Sequence, residues 1–194
     1  LALQHVQAAR QVLVLLERVQ ALVGQLRVPL QAIETFDNTI AQRAQSHPDF
    51  PLFQALPGAG PVFASRLLVA FGEQRDRYAS AAALQRYAGI APVTERSGKK
   101  SWVHGRLQCP KFLRQTFVEW AAESTRHSCW AQVYYQQQRT KGKAHQAAVP
   151  ALAFKWIRIL FRCWQECTPY NESVYLQALN SRGASLIYNL AKEA

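Results

Sequence analysis

Leu56–Gly72 reads LPGAGPVFASRLLVAFG, a Gly-x-Gly turn set between two apolar segments of helical spacing. Gly58 and Gly60 supply the positive φ angles that a tight hairpin needs, and Pro61 suits the first turn of the helix that follows. Ala64, Leu67, Leu68 and Phe71 then recur at helical spacing, and Gly72 supplies a stop. The pattern predicts a helix-hairpin-helix whose second helix turns its first N–H groups outward as an anion site, with phosphate as the natural ligand. A purely structural αα-hairpin is the other reading of the same residues.

Charge favours the first. The 194 residues carry a formal charge of +11, with a pI near 9.9, which suits a polyanionic partner and makes an acidic or neutral one hard to explain. The basic residues are segregated. Arg96, Lys99, Lys100, Arg106, Lys111 and Arg114 follow one another with no Asp or Glu among them, and Ser124 to Gln165 is again free of acids while Arg126, Arg139, Lys141, Lys143, Lys155, Arg158 and Arg162 accumulate. A merely solvated surface intersperses both signs, so a positive face for nucleic acid is expected.

Nearly half the residues are hydrophobic, enough for one core and an appended element, which excludes a disordered tail. The strongest apolar run, Ala147 to Trp164, is broken by Lys155, Arg158 and Arg162, so no transmembrane helix and no membrane partner are expected. No signal peptide is visible. The chain opens at Leu1 inside a helical pattern, the mark of a piece of something longer. Cys109, Cys129, Cys163 and Cys167 lack paired Cys-x-x-Cys spacing and form no disulfide framework; they read as small buried core residues, reduced as in a cytosol. Cys163 and Cys167, four apart, with His104 or His127 form the only metal grouping worth weighing, and core packing explains them better.

The organisation is all-α. Val12, Leu15, Val19, Leu22 and Leu26 alternate spacings of three and four, a coiled-coil seam, and beyond a kink or restart at Pro29 the residues Leu30, Ile33, Phe36 and Ile40 extend it. Residues 1–46 thus form a helical arm, residues 47–180 the compact domain and residues 181–194 a weakly specified tail. Within the domain, Ser80 caps a short helix stopped by Gly89. Ile90 to Gln108 is an irregular basic stretch, either a loop or a short β-hairpin around Ser97-Gly98. Pro110 opens a helix reaching about Ser128, with Phe112, Leu113, Phe117, Trp120 and Ala121 as its buried stripe. Trp130 to Gln138 continues helically, His145 to Glu166 is the most apolar helix, and Thr168-Pro-Tyr-Asn-Glu leads into a last short one to about Leu179. Trp120, Trp156 and Trp164 belong to the core. Tyr134 and Tyr135 cover it, while Trp102, in polar basic surroundings, is equally suited to stacking on a base.

Four ordered blocks, LPGAGPVFASRLLVAFG, YASAAALQRYAGIAPVTERSGKK, GRLQCPKFLRQTFVEWA and HQAAVPALAFKWIRILFRCW, resemble the C-terminal transposase domain of the insertion sequence 110 family, the DEDD-type transposases guided by a bridge RNA. The resemblance runs from about Phe53 to Leu179, and the arm is similar to the coiled-coil segment that precedes this domain in the family. It implies a domain of a prokaryotic cytosolic enzyme that recombines donor and target DNA through a covalent phosphoserine. The bridge RNA carries target choice, and the coiled coil joins copies into a homo-oligomer. It also implies an upstream RuvC-like domain holding Mg2+ on four carboxylates, with no cofactor or metal in this chain. Here the acids are few and scattered, so the chain is expected to bind nucleic acid and to be inactive alone. Cys109-Pro110 stands where many relatives carry Gly-Asn.

The family's serine lies in the Ser-Gly pair after Ala-Gly-x-x-Pro, which corresponds to Ser97 followed by Gly98. The residue chemistry agrees: a serine attacks phosphorus when its proton is removed and the phosphoryl charge is stabilised. Arg96, Lys99 and Lys100 flank Ser97, with Arg106, Lys111 and Arg114 close behind to hold a phosphate. Ser101 is the rival in the same basic stretch; Ser65 reads as buried on the hairpin helix. His104 is near in sequence and is a possible base or phosphate contact. The reading from another class is a non-catalytic helix-hairpin-helix module that holds DNA through Gly58 and Gly60.

Overall fold

The computed structural model describes residues 2–181, with side chains from residue 10 onward. Most of the tail 181–194 therefore lies outside the described residues. The described chain is mainly helical with one small two-stranded sheet, in the order α1 (Ala2–Gln45), α2 (Phe50–Gln54), α3 (Gly60–Phe71), α4 (Ala81–Tyr87), β1 (Val93–Ser97), β2 (Lys100–His104), α5 (Lys111–Ser124), α6 (Cys129–Thr140), α7 (His145–Gln165) and α8 (Glu172–Ser181). None of these helices is long and apolar enough to cross a membrane.

Two units emerge, Leu1–Arg43 and Ala44–Ala194. The described part of the first is helical, and α1 continues through Pro29 with no restart there. Proline removes one backbone hydrogen bond, but a restart would require nucleating a second helix, which costs more than continuing between two long flanks. Val12, Leu15, Val19, Leu22, Leu26, Leu30, Ile33, Phe36 and Ile40 are all exposed on this helix.

In the second unit, α5, α6 and α7 surround a core of tryptophans. Trp120, Trp130, Trp156 and Trp164 are fully buried, and Trp156 stands 4.8 Å from Trp120 and 4.5 Å from Trp130 between ring centroids. Burying an indole requires a partner for its N–H. Each has one: Trp120 donates to the Pro57 carbonyl, Trp130 to the Tyr170 hydroxyl, Trp156 to Ser124 Oγ and Trp164 to the Gly72 carbonyl. α3 closes the core with Ala64, Leu67, Ala70 and Phe71, and α4 is tied to α7 by Gln85, whose amide donates to the Phe154 carbonyl at 2.6 Å.

Local rules explain most boundaries. Ser80 Oγ accepts from the Ala83 N–H at 3.1 Å and starts α4; Gly89, at φ +69°, ends its turn. Within residues 90–108, Val93 to His104 form an antiparallel hairpin with Ser97 opposite Lys100. Gly98 alone takes a positive φ, +57°, as a two-residue turn with glycine in its first central position requires.

Three expectations are corrected. α5 ends at Ser124, because a turn through residues 125–128 redirects the chain into α6. Phe112 is 43% exposed, while its neighbour Leu113 takes the core-facing position in the first turn of α5, and the Phe112 ring lies instead under the Arg66 guanidinium, 5.7 Å away. None of the four cysteines is fully buried: Cys109 and Cys163 are half-buried, Cys163 packing against the core from its edge, while Cys129 and Cys167 are exposed at the start of α6 and just past the end of α7. Among the described residues, no three His, Cys, Asp or Glu side chains come together.

Candidate functional site

Two places gather the residues singled out above. The first is the turn between α2 and α3. α2 is a short helix, Phe50–Gln54, followed by Ala55, Leu56, Pro57, Gly58 and Ala59 before α3 begins. Gly58 has φ +67° and Gly60 φ +49°, but the two glycines are needed for different reasons. A Cβ on Gly58 would stand 2.6 Å from His127 Cδ2 and 3.2 Å from Glu123 Cγ, so Gly58 lets the turn pack on the end of α5. At Gly60 a Cβ would meet nothing within 4 Å. No side chain caps α3, whose first turn holds Pro61 and exposed Val62. Ser65 is turned inward, donating to the Pro61 carbonyl at 2.8 Å.

The second place is the β1–β2 hairpin, whose register sorts its side chains by face. Directly opposed residues share a face, and successive residues alternate. Ser97 and Lys100 therefore lie on one face with Glu95 and Trp102, while Arg96 and its partner Ser101 lie on the other. Ser97 and Ser101 cannot serve the same phosphate from one side. Every residue of β2 is exposed, as are Arg96, Ser97, Gly98 and Lys99. Among the described residues, no carboxylate pairs with Arg96, Lys99, Lys100 or Lys111. The hairpin's one acid, Glu95, is committed elsewhere: Oε2 accepts from Trp102 Nε1 at 2.9 Å, and Oε1 lies 3.3 Å from His104 Nε2. Sequence reading missed this bridge; the period-two symmetry of Glu95 and Trp102 about the turn was the available signal.

His104 pairs with Val93 at the open end of the ladder, four residues from Lys100 and so about 13 Å from the tip along the strand. Nearness in sequence does not bring it to Ser97, because the strand is extended. Arg106 and Arg114 serve the exit from the hairpin. Arg114 donates to the Arg106 carbonyl at 3.0 Å, and Cys109 packs against Gly89, where its sulfur fills the space a Cβ would take. Arg106 Nε is buried with no hydrogen-bond partner. Lys111 stands exposed at the start of α5.

The two places lie at opposite ends of α5. Arg106 meets α5 at Arg114 and Gly58 meets it at Glu123, nine residues on, or about 14 Å along the axis. The Gly-x-Gly turn is thus not adjoined to Arg106, Lys111 and Arg114. Other basic residues lie on the acid-free α6–α7 pair. Lys155 Nζ sits 4.4 Å above the Tyr134 ring, and burial, aided by Arg158, holds its ammonium below the usual lysine range. Tyr135 exchanges a hydrogen bond with His145 Nδ1 at 2.9 Å, and both tyrosines pack against the core.

The remaining acids near these places are all engaged. Glu119 binds Arg66 and Gln115, and the Gln115 and Arg66 hydrogen bonds hold its carboxyl below the usual range. Glu123 binds Arg126 and His127. Among the described residues, these acids join no group of three or more metal-ligating side chains.

Comparison with known proteins points one way. Residues 51–136 match the family model described as Transposase IS116/IS110/IS902 family. A mini-circle protein of IS117 from Streptomyces coelicolor, named for a transposase, is 30% identical over 152 residues, covering 78% of this chain and 37% of that protein. The 42 kDa protein of insertion element IS900 from Mycobacterium paratuberculosis is 30% identical over 158 residues, 77% of this chain and 39% of its own length. The 43.6 kDa protein of insertion element IS110 from Streptomyces coelicolor is 33% identical over 131 residues, 65% and 31% respectively. The chain therefore spans less than two fifths of the length of these relatives.

Proposed function

Because the chain belongs, through residues 51–136, to the IS116/IS110/IS902 transposase family, we propose that it is the DNA-binding, serine-bearing part of a transposase that acts by a covalent serine–DNA intermediate. The observation that carries the reading is the hairpin tip: an exposed Ser97 directly across from Lys100, flanked by Arg96 and Lys99, with no free carboxylate on the hairpin.

Ser97 Oγ attacks the phosphorus of a backbone phosphodiester. An Oγ–P bond forms as one P–O bond to deoxyribose breaks, the serine proton passes to a base, and the departing sugar oxygen takes up a proton. A strand hydroxyl then displaces Ser97 from phosphorus, rejoining DNA and restoring the serine. Lys100, on the face of Ser97, offsets the charge that develops on the phosphoryl oxygens, while Arg96 and Lys99 hold the approaching backbone. In this reading Lys111 extends that contact, and Arg106 and Arg114 support the hairpin's exit. The Mg2+ chemistry belongs to a carboxylate domain of the whole protein, outside this chain. Target choice rests with a guide RNA, and the α1 stripe pairs copies of the chain.

The test is trapping with the full-length parent protein, guide RNA and cleavable DNA. A covalent protein–DNA adduct on a denaturing gel is expected for wild type and absent for Ser97→Ala, whose exposed side chain leaves folding unchanged. An adduct that survives in Ser97→Ala refutes the assignment. A second reading, a non-catalytic module that holds DNA at the α2–α3 turn, is favoured by the open approach at Gly60 and the uncapped start of α3. It predicts no adduct in either protein and weakened DNA binding by Gly60→Ala.

A further inference from the structure

Trp102 is the one tryptophan that the core does not use: the other four are fully buried, whereas Trp102 is 46% exposed. Resting on the reading that a phosphate binds at the hairpin tip, we propose that Trp102 stacks on an unpaired base beside that phosphate, with Glu95 as the residue that positions its ring.

Three observations carry this. Trp102 shares a face with Ser97 and Lys100 and lies two pairs further along the ladder, about 7 Å from the tip, within reach of the base attached to a phosphate held there. Its only polar atom, Nε1, is already bonded to Glu95 Oε2, so what the indole offers outward is its ring surface. Glu95 is in turn held by His104 on its other oxygen. Finally, charge changes along this face. Ser97 and Lys100 at the tip favour a phosphate, while the Glu95 carboxylate, directly across from Trp102, repels one. Sugar-phosphate backbone is thereby kept at the tip, and an uncharged base is admitted over Trp102. In a continuous duplex both faces of each base are covered by its neighbours, so the partner is a nucleotide in an unpaired or opened segment of DNA.

Because the other four tryptophans are buried, quenching of fluorescence by a stacked base reports Trp102. The experiment uses the 194-residue chain with a labelled DNA duplex and the same duplex carrying a short single-stranded gap, reading affinity by anisotropy and indole emission by fluorescence. Wild type is expected to prefer the gapped DNA by about 10-fold and to lose emission on binding it. Trp102→Ala abolishes both the preference and the quench, with duplex affinity unchanged; Trp102→Phe keeps part of the preference. Glu95→Ala lowers the preference, and Glu95→Gln, which retains an acceptor for Nε1, restores it. Equal affinity of wild type for the two DNAs, or gapped binding without quenching, overturns the stacking while leaving the serine reading intact. Failure to bind either DNA also overturns the stacking, and the serine reading is then decided separately by the adduct test.

Discussion

Gly58→Ala and Gly60→Ala separate two reasons for a glycine within one turn. At either position alanine must hold a left-handed φ, +67° or +49°, which costs about 1 kcal/mol. At Gly60 that is the whole cost, because the added methyl meets open space. At Gly58 the methyl would sit 2.6 Å from His127 Cδ2, so the imidazole has to move. It is half-exposed and free to swing outward, giving up its 3.3 Å contact with Glu123, a surface interaction of less than about 1 kcal/mol, together with packing against the turn. The expected losses are about 2 kcal/mol for Gly58→Ala and about 1 kcal/mol for Gly60→Ala. Urea unfolding followed by circular dichroism measures both, and a cycle with His127→Ala isolates the clash. In the His127→Ala background, Gly58→Ala should cost only the backbone portion, about 1 kcal/mol. Equal losses at the two glycines, or no coupling between Gly58 and His127, refute the packing argument.

Asp49 receives two bonds from Arg75, at 2.7 and 2.6 Å, and the Arg75 hydrogen bond holds its carboxyl below the ordinary 3.8. A depressed carboxyl stabilises the fold above its unfolded pKa and loses that contribution as pH falls through the folded one. Asp49→Asn is therefore expected to cost about 2 kcal/mol at neutral pH and to flatten the loss of stability below about pH 4, read from urea midpoints across an acid series. Trp156→Phe removes the 2.8 Å bond to Ser124 and leaves a gap between Trp120 and Trp130, for an expected loss of about 2–3 kcal/mol in the same assay.

Local chemistry made much of this fold legible. Ser80 as a cap, Gly72 and Gly89 as stops, the Ser97-Gly98 turn and the apolar periods of α3 and α7 are all nearest-neighbour or one-turn effects, which a sequence displays directly. Long-range pairings left no such trace. Asp49 and Arg75 are 26 residues apart with no shared period, and nothing near Phe112 signals that Arg66, on another helix, will cover its ring in place of the core. The cysteines misled for another reason: small size permits burial without requiring it, and Cys129 and Cys167 fall at helix ends. At the candidate site the serine's neighbourhood was readable from the charge run. Its facing was not, until the ladder register turned Ser97 and Ser101 apart.

The trio of Trp120, Trp156 and Trp130 has a spectroscopic consequence. Indole transitions whose ring centres lie 4.8 and 4.5 Å apart at tilts of 56° and 54° couple as excitons and produce a signed couplet in circular dichroism. That couplet depends on the relative angle of side chains from three helices, whereas the amide signal depends only on the helices themselves. A state of the domain with its helices retained and its interior loosened would keep the second and lose the first. The chain thus carries its own optical reporter of core order, with no label added.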